Sequence, residues 1–414
     1  MYIAASRTPT LETSPDRGRA PRGVLRGVPA NVLALGAVSL VTDVSSEMVT
    51  AVLPLYLVLG LGLNPLQFGL LDGLYAGATA VVRVLGGHLA DRWRRLKAVA
   101  GFGYGLSAVC KLGLLAAGSS VAAIGVVLAA DRTGKGLRTG PRDALISLSS
   151  DPASLGRSFG VHRALDTVGA LLGPLAAMAV LALSFGSYPS VFFTSFCVAA
   201  VAVLLLVLFV RDRPGGADRA AVSPRAALDL LRGSDFRRIT VWAALLGLVT
   251  VGDAFLYLVV QRRWDVAAAY FPLLPLGTAG VYLLLAVPIG RLADRIGRWP
   301  VFLGGHAALG AALVAVCGPA SGPSLAVLAL VLHGVFYAAT DGVLMAAAGP
   351  LIPAELLATG LAVVQTGQAV ARMASSVLFG LSWTLWGLRP AVLVAAVALA
   401  VVVLAAALAR PVRP

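Results

Sequence analysis

From Asn31 to its last residues the chain is a succession of apolar runs, each long enough to cross a bilayer as a helix, which takes about 20 residues. A backbone inside lipid must satisfy its own hydrogen bonds, so such runs can only be membrane-spanning helices. A β-barrel would instead show short alternating segments. Composition agrees, with 58% hydrophobic residues and 13% charged ones, against about 25% charged in an average soluble protein.

A short phrase occurs twice, about two hundred residues apart: Gly87-His88-Leu89-Ala90-Asp91-Arg92 and Gly290-Arg291-Leu292-Ala293-Asp294-Arg295. Each copy closes one apolar run and is followed by more arginine and another run. A charged hinge repeated at matching places marks an internal duplication within a membrane.

The spans expected in the first half are Val32–Leu59, Gln67–Ala90, Ala98–Ala117, Val121–Arg138, Phe159–Leu183 and Val191–Val210. Those of the second are Ile239–Val260, Tyr270–Ala293, Val301–Cys317, Leu325–Ala348, Thr359–Trp383 and Ala391–Ala409. Four regions follow: a disordered basic tail over 1–30, a six-helix bundle over 31–210, a linker over 211–238 and a second six-helix bundle over 239–409. The linker holds Pro214, Gly215, Gly216 and Pro224, and a short surface helix is expected near Pro224–Leu231. The connections opposite the termini are very short, which leaves no room for a soluble catalytic domain.

The net charge of +14 raises the question of nucleic acid. The positions answer it. Arg7, Arg17, Arg19, Arg22 and Arg26 lie in the tail, Arg92, Arg94, Arg95 and Lys97 in one connection, and a run from Arg211 to Arg238 in the linker. Positive charge thus falls mainly in every second connection, the alternate ones being nearly bare apart from Arg262, Arg263 and Arg389, which is the positive-inside pattern. This places both termini in the cytoplasm and the chain in the cell membrane, with lipid and not nucleic acid as its surroundings. The tail lacks an apolar core and does not read as a signal peptide. Cys110, Cys197 and Cys317 are far apart within apolar runs, so they are expected as small core residues, not as a disulfide or metal site.

An ionisable side chain at mid-membrane costs about 2.5–3.5 kcal/mol on insertion scales and needs a partner or a watery cavity. The first span carries Asp43 and Glu47, one helical turn apart on one face. Two close carboxylates suit a proton carrier, and the alternative is a structural pair bonded to neighbouring helices. Asp72, Asp253 and Asp341 are further acids in spans. Asp43 and Asp253 hold matching positions in the two halves, as do Asp131 and Asp341. Acids so related would face a cavity between the halves, with Tyr75, Tyr257, Asp166, Gln365, Gln368 and Arg372 as further lining candidates. Packing contacts are the plainer alternative for each.

The fourth span is the most polar, reading Asp131-Arg132-Thr133-Gly134-Lys135-Gly136-Leu137-Arg138. It lacks the strand and spacing of a phosphate-binding loop. Arg132 is the expected partner of Asp43 or Glu47. Arg138, Arg142 and Asp143 are expected as a salt-bridge lock at the cytoplasmic helix end. In the fifth span His162 and Asp166 form an i,i+4 pair, and Gly169, Gly173 and the kinking Pro174 follow as a close-packing face. In the eleventh, Gln365, Gln368 and Arg372 form one polar stripe. No nucleophile–base pair or metal-ligand cluster stands out, so neither an enzyme nor a metal or cofactor is expected.

These residues resemble the major facilitator superfamily over nearly the whole chain after residue 30. The family's loop signature, Gly-x-Leu-Ala-Asp-Arg-x-Gly-Arg, is matched throughout at Gly290 to Arg298, and at Gly87 to Arg95 except that Arg94 replaces the second glycine. Arg132 with Gly136 resembles the fourth-helix signature, and Gly169-Ala170-Leu171-Leu172-Gly173-Pro174 resembles the fifth-helix signature of proton-exchanging exporters, with Ala176 and Ala177 where later glycines stand. Thr42 to Met48, Asp131 to Gly136 and His162 to Asp166 resemble a bacterial branch of efflux-type permeases.

The resemblance implies an all-α polytopic membrane protein with the major facilitator fold, twelve transmembrane helices in two pseudo-symmetric six-helix bundles, working as a monomer by alternating access. Asp43, Glu47 and Arg132 would couple protons, with the proton gradient as the energy source. Gly87, Asp91, Arg92 and Arg95, with Gly290, Asp294, Arg295 and Arg298, would lock the cytoplasmic side, and Asp91→Asn would slow transport. The expected function is a proton-coupled exporter of small organic compounds. The alternative is a proton symporter importing a small organic anion, with Arg83, Arg132, Lys135, Arg138 and Arg372 as a cationic site. Pairing of those cations with the acids would favour the exporter.

Overall fold

The computed structural model describes residues 28–75, 77–78, 95–151, 154–212, 229–318, 322–353 and 356–409, with the side chains of 357–359 excepted. Among them the first half forms α1 (Ala30–Leu55), α2 (65–75), α3 (Leu96–Ala116), α4 (Val121–Leu148), α5 (Leu155–Leu183) and α6 (Tyr188–Phe209). The second half forms α7 (Ser234–Val249), α8 (Asp253–Trp264), α9 (Leu273–Ile296), α10 (Arg298–Cys317), α11 (Pro323–Thr340), α12 (Val343–Ala348), α13 (Leu357–Trp386) and α14 (Leu388–Ala409). Nine helices among the described residues are long and apolar enough to cross a membrane. Their outer faces carry exposed Leu, Val and Phe, such as Phe102, Leu204, Leu284 and Leu404, as lipid contact demands.

Each expected span is a helix where it is described, with three departures. The fourth runs on to Leu148, ten residues past Arg138, because Pro141 leaves a helix that neighbours hold in place. The seventh and tenth are each broken in two. The seventh opens at Thr250, whose backbone is extended, and resumes at Asp253. The tenth opens at Asp341, also extended, and turns at Gly342 with φ 79°. Glycine reaches that left-handed region without the Cβ clash other residues meet.

The two halves repeat one packing plan. In the first, α1 packs along α5 and α6, and α3 along α4 and α6. In the second, α7 packs along α13 and α14, and α10 along α11 and α14. These are equivalent pairs, so the duplicated phrase does report two pseudo-symmetric bundles.

The halves meet through α2 and α13. A Cβ added at Gly69 would collide with the Ser376 carbonyl, and one at Gly380 with that of Pro65. Small residues at such crossings let backbones touch where lipid gives no hydrophobic drive. The Phe68 and Phe255 rings meet edge to face at 4.8 Å, and the Leu66 amide donates to Thr384 Oγ1 at 3.1 Å. This contact lies at the end of α2 away from the chain termini, beside the short connection from α1.

Several expectations change. Cys110 is buried and Cys317 half-buried, but Cys197 is exposed on α6; a thiol is apolar enough to face lipid. Gly87, Asp91, Arg92, Arg83 and most of the linker and tail fall outside the described residues. Arg95 is described and exposed.

Candidate functional site

The first half holds a dense charge cluster where α1, α3, α4 and α5 converge. Asp131 is its most fully bound acid. It accepts from Ser107 Oγ at 2.6 Å and from Arg132 Nη2 at 2.6 Å, and Lys111 Nζ stands 3.7 Å away. The Arg132 guanidinium also lies 3.9 Å over the Tyr75 ring, whose hydroxyl sits 3.0 Å from Thr50 Oγ1. Arg132 is therefore not the partner of Asp43 or Glu47. Its side chain folds back on its own neighbour, since an adjacent carboxylate and an aromatic face satisfy a planar cation without crossing to α1.

Asp43 instead faces Arg138, with Nη2 3.9 Å from Oδ1. Arg138 is buried and stacks 4.7 Å over Tyr104. Arg142, also buried, donates to Asp143 at 2.9 Å and reaches Asp166 at 4.0 Å and Ser39 at 3.3 Å. The lock expected of Arg138, Arg142 and Asp143 is thus corrected. The lengthened α4 carries both arginines inside the bundle, where they bind α1 and α5. Asp166 closes the group, 3.4 Å from His162 Nδ1 and 3.6 Å from Arg163.

Glu47 makes no salt bridge among the described residues, and neither does Lys135. Lys135 stands on α4, three residues before the Arg138 that faces Asp43.

The glycines of α5 explain why the acids are held so near. A Cβ at Gly173 would come within 2.5 Å of Glu47 Cβ, and one at Gly169 within 3.1 Å of Asp43 Cβ. The close-packing face expected at Gly169, Gly173 and Pro174 therefore lies against the two carboxylates themselves. Ser45 and Ser195 bond each other's carbonyls at 2.7 Å and pin the opposite face of α1 to α6. The acid-bearing helix is clamped on both sides.

The second half is built differently. Asp253 opens α8 just after the break, 3.3 Å from His333 Nε2 and bonded by the Tyr337 hydroxyl. His333 is wholly buried among the rings of Tyr257, Phe336 and Tyr337, while the Asp253 side chain remains 44% exposed. At the helix break this carboxylate is thus open on one side while a wholly buried imidazole backs it on the other. Asp341, at the other break, accepts from Tyr282 at 3.0 Å. Tyr257 packs on His333 at 5.6 Å between ring centres. Arg372, on α13, acts on Asp253 without forming a salt bridge with it. Gln365 and Gln368 share that helix. His333 was missed in the sequence because it stands alone in an apolar run.

Asp72 is not a free wall of the cavity. It accepts from Ser376 Oγ at 2.6 Å and lies against Gly252 at the start of α8, so it belongs to the contact between the halves. Asp43 and Asp253 match in sequence position but not in surroundings, since only the second span is broken there.

The second loop phrase is described in full. Gly297 takes φ 100°, the conformation its signature glycine serves. Arg298 lies 3.9 Å from Asp294 and donates to the Ala346 carbonyl at 2.7 Å, tying the loop to α12 beyond the break. Gly290 and Asp294 line the adjoining pocket with Asp341, and Arg295 is exposed.

Set beside known proteins, this architecture is a familiar one. The Major Facilitator Superfamily profile matches residues 35–282. An uncharacterized MFS-type transporter of Methanocaldococcus jannaschii is 30% identical over 86% of this chain and 89% of its own. An uncharacterized protein of Mycobacterium bovis is 36% identical over 38% of each chain. Among solved structures, a mutant of the nucleoside transporter NupG superimposes with a TM-score of 0.79 at 15% identity, covering 91% of this chain and 99% of that one. A bacterial homolog of the human lysosomal transporter Spinster gives 0.73 at 16%, covering 92% and 96%. These identities speak for the fold alone.

The fold and its buried charges define a multi-pass membrane transporter. The chain belongs to the major facilitator superfamily, whose members move solutes as secondary transporters.

Proposed function

We propose that this transporter is a proton-coupled exporter of small organic compounds, working by alternating access as a monomer in the cell membrane with both termini in the cytoplasm. The observation that carries this is the pair Asp43 and Glu47, one turn apart on α1 with Asp43 facing Arg138, where the helix packs against the glycines of α5. A proton taken by either acid changes the charge of this cluster, and that change acts directly on the α1–α5 contact. Arg132 serves this site indirectly, by holding Asp131 and Tyr75 in place.

Pairing of the cations speaks against the import of an organic anion. Arg132 and Lys111 face Asp131, Arg138 faces Asp43, and Arg142 faces Asp143 and Asp166. Among the described residues these four cations are answered by carboxylates, while Lys135 and Arg372 make no salt bridge. The contact of α2 with α13 closes the end away from the termini, which on the proposed topology is the outer side. Asp294 and Arg298 with the Ala346 carbonyl would hold the cytoplasmic loop, and no cofactor is required.

The test is proton flux. The protein is reconstituted into liposomes containing a pH dye, with an acid interior, and organic cations, neutral drugs and organic anions are added outside in turn. The reading expects lipophilic compounds to drain internal protons, and the double variant Asp43→Asn/Glu47→Gln to abolish the drain. If only anions move protons, and in their own direction, the protein is a symporter.

A further inference from the structure

Resting on the transporter reading, we infer that the second half binds its cargo as an organic cation, a protonated or quaternary amine, on a ladder formed by Asp253, Tyr337, Tyr282 and Asp341. The ladder is continuous. The Tyr337 hydroxyl bonds Asp253, the Tyr337 and Tyr282 rings meet edge to face at 6.4 Å, and the Tyr282 hydroxyl bonds Asp341 Oδ2 at 3.0 Å.

Its two ends fall at the two broken spans. Asp253 is the first residue of α8, and Asp341 is the extended residue that ends α11. Interrupted helices are where transporters place backbone and charge around a cargo, because an unwound segment inside the membrane is tolerated only beside protein or a cavity. Here both breaks present a carboxylate, and both carboxylates are reached by solvent.

Charge and ring chemistry name the cargo. Two carboxylates with tyrosine rings between them attract a desolvated cation by charge and by ring quadrupole together. Arg372 is the opposing charge, and it forms no salt bridge with Asp253. The His333 ring supplies a separate sign of incompleteness. It is wholly buried and aimed at Asp253 Oδ1, yet its Nε2 stands outside hydrogen-bond geometry. A small shift of the Asp253 carboxylate onto a ligand would complete that bond. Asp341 also lines the pocket beside Asp294 and Arg298, so the ladder leads from the loop end of the bundle toward the break at Asp253.

The test is equilibrium binding to the purified full-length protein in detergent, with no gradient. The probes are benzyltrimethylammonium, its neutral carbon isostere neopentylbenzene, and benzoate. The expected result is saturable binding of the cation and at least tenfold weaker binding of the other two. Asp253→Asn and Asp341→Asn should each weaken the cation tenfold or more, Tyr282→Phe less, and Arg372→Gln should tighten it. Asp253→Glu, which keeps the charge, should retain measurable affinity and guards against a folding artefact, which thermal melting of each variant also reports. Equal binding of the isostere, preference for benzoate, or Asn variants with unchanged affinity overturns the ladder. Cation binding without proton flux in liposomes would instead leave the ladder standing and sink proton coupling.

Discussion

The two bundles share one packing plan and spend their buried polarity in opposite ways. In the first, continuous helices carry acids and bases in near balance, most of them bonded to one another. In the second, two spans break, and their acids meet tyrosines and a histidine with Arg372 as the nearby cation. A charge network clamped between intact helices changes state by gaining or losing a proton. A carboxylate at a helix break, open on one side, suits the holding of a ligand. The duplicated ancestry fixes the frame, and local chemistry divides the work.

The contrast can be broken most severely at Arg132. Arg132→Met leaves Asp131 with Lys111 at 3.7 Å as its cation, and stranding a buried charge costs about 3–5 kcal/mol. Unfolding in detergent should show that loss, and the double variant Asp131→Asn/Arg132→Met should recover much of it. No loss would mean the cluster is not a coupled unit. Gly173→Val comes next. Its side chain would enter the Glu47 Cβ position, and overpacking of this kind costs about 1–3 kcal/mol. Because α1 must then part from α5, transport should fall further than stability does.

Ser376→Ala probes the seam between the halves. It removes the 2.6 Å bond to Asp72, where a hydrogen bond to a charged group contributes about 1.5–3 kcal/mol. The expected readout is a population shift, seen as increased labelling from the outer side of a cysteine introduced at Leu66, half-buried beside Thr384. Unchanged labelling would detach Asp72 from the closure. Arg163→Ala should do least. Its side chain is 67% exposed at the edge of the Asp166 group, and exposed pairs contribute about 0–1 kcal/mol. A larger effect would show that the first-half network reaches the surface.

Much of this was legible in the sequence. Apolar run length gave the helices, and the repeated loop phrase gave the two halves. Spacing alone put Asp43 with Glu47 and His162 with Asp166. What could not be read were the partners, because they depend on how helices face one another. Arg132 turned to its neighbour, and Arg138 took the place beside Asp43 when α4 ran past Pro141. The helix breaks were also hidden, since Thr250-Val251-Gly252 and Asp341-Gly342 look like ordinary residues of a span until packing opens them. Lone His333 carried no pattern at all.

The central claim is that the first half handles the proton and the second half the cargo. Cargo exchange without a gradient separates them most directly: liposomes loaded with unlabelled benzyltrimethylammonium, at equal pH on both sides, are assayed for entry of the radiolabelled compound. The account predicts that Asp43→Asn/Glu47→Gln keeps this exchange while losing proton-driven accumulation, and that Asp253→Asn loses both. Proton-driven accumulation surviving in the Asp43→Asn/Glu47→Gln protein, or exchange surviving in Asp253→Asn, would contradict it.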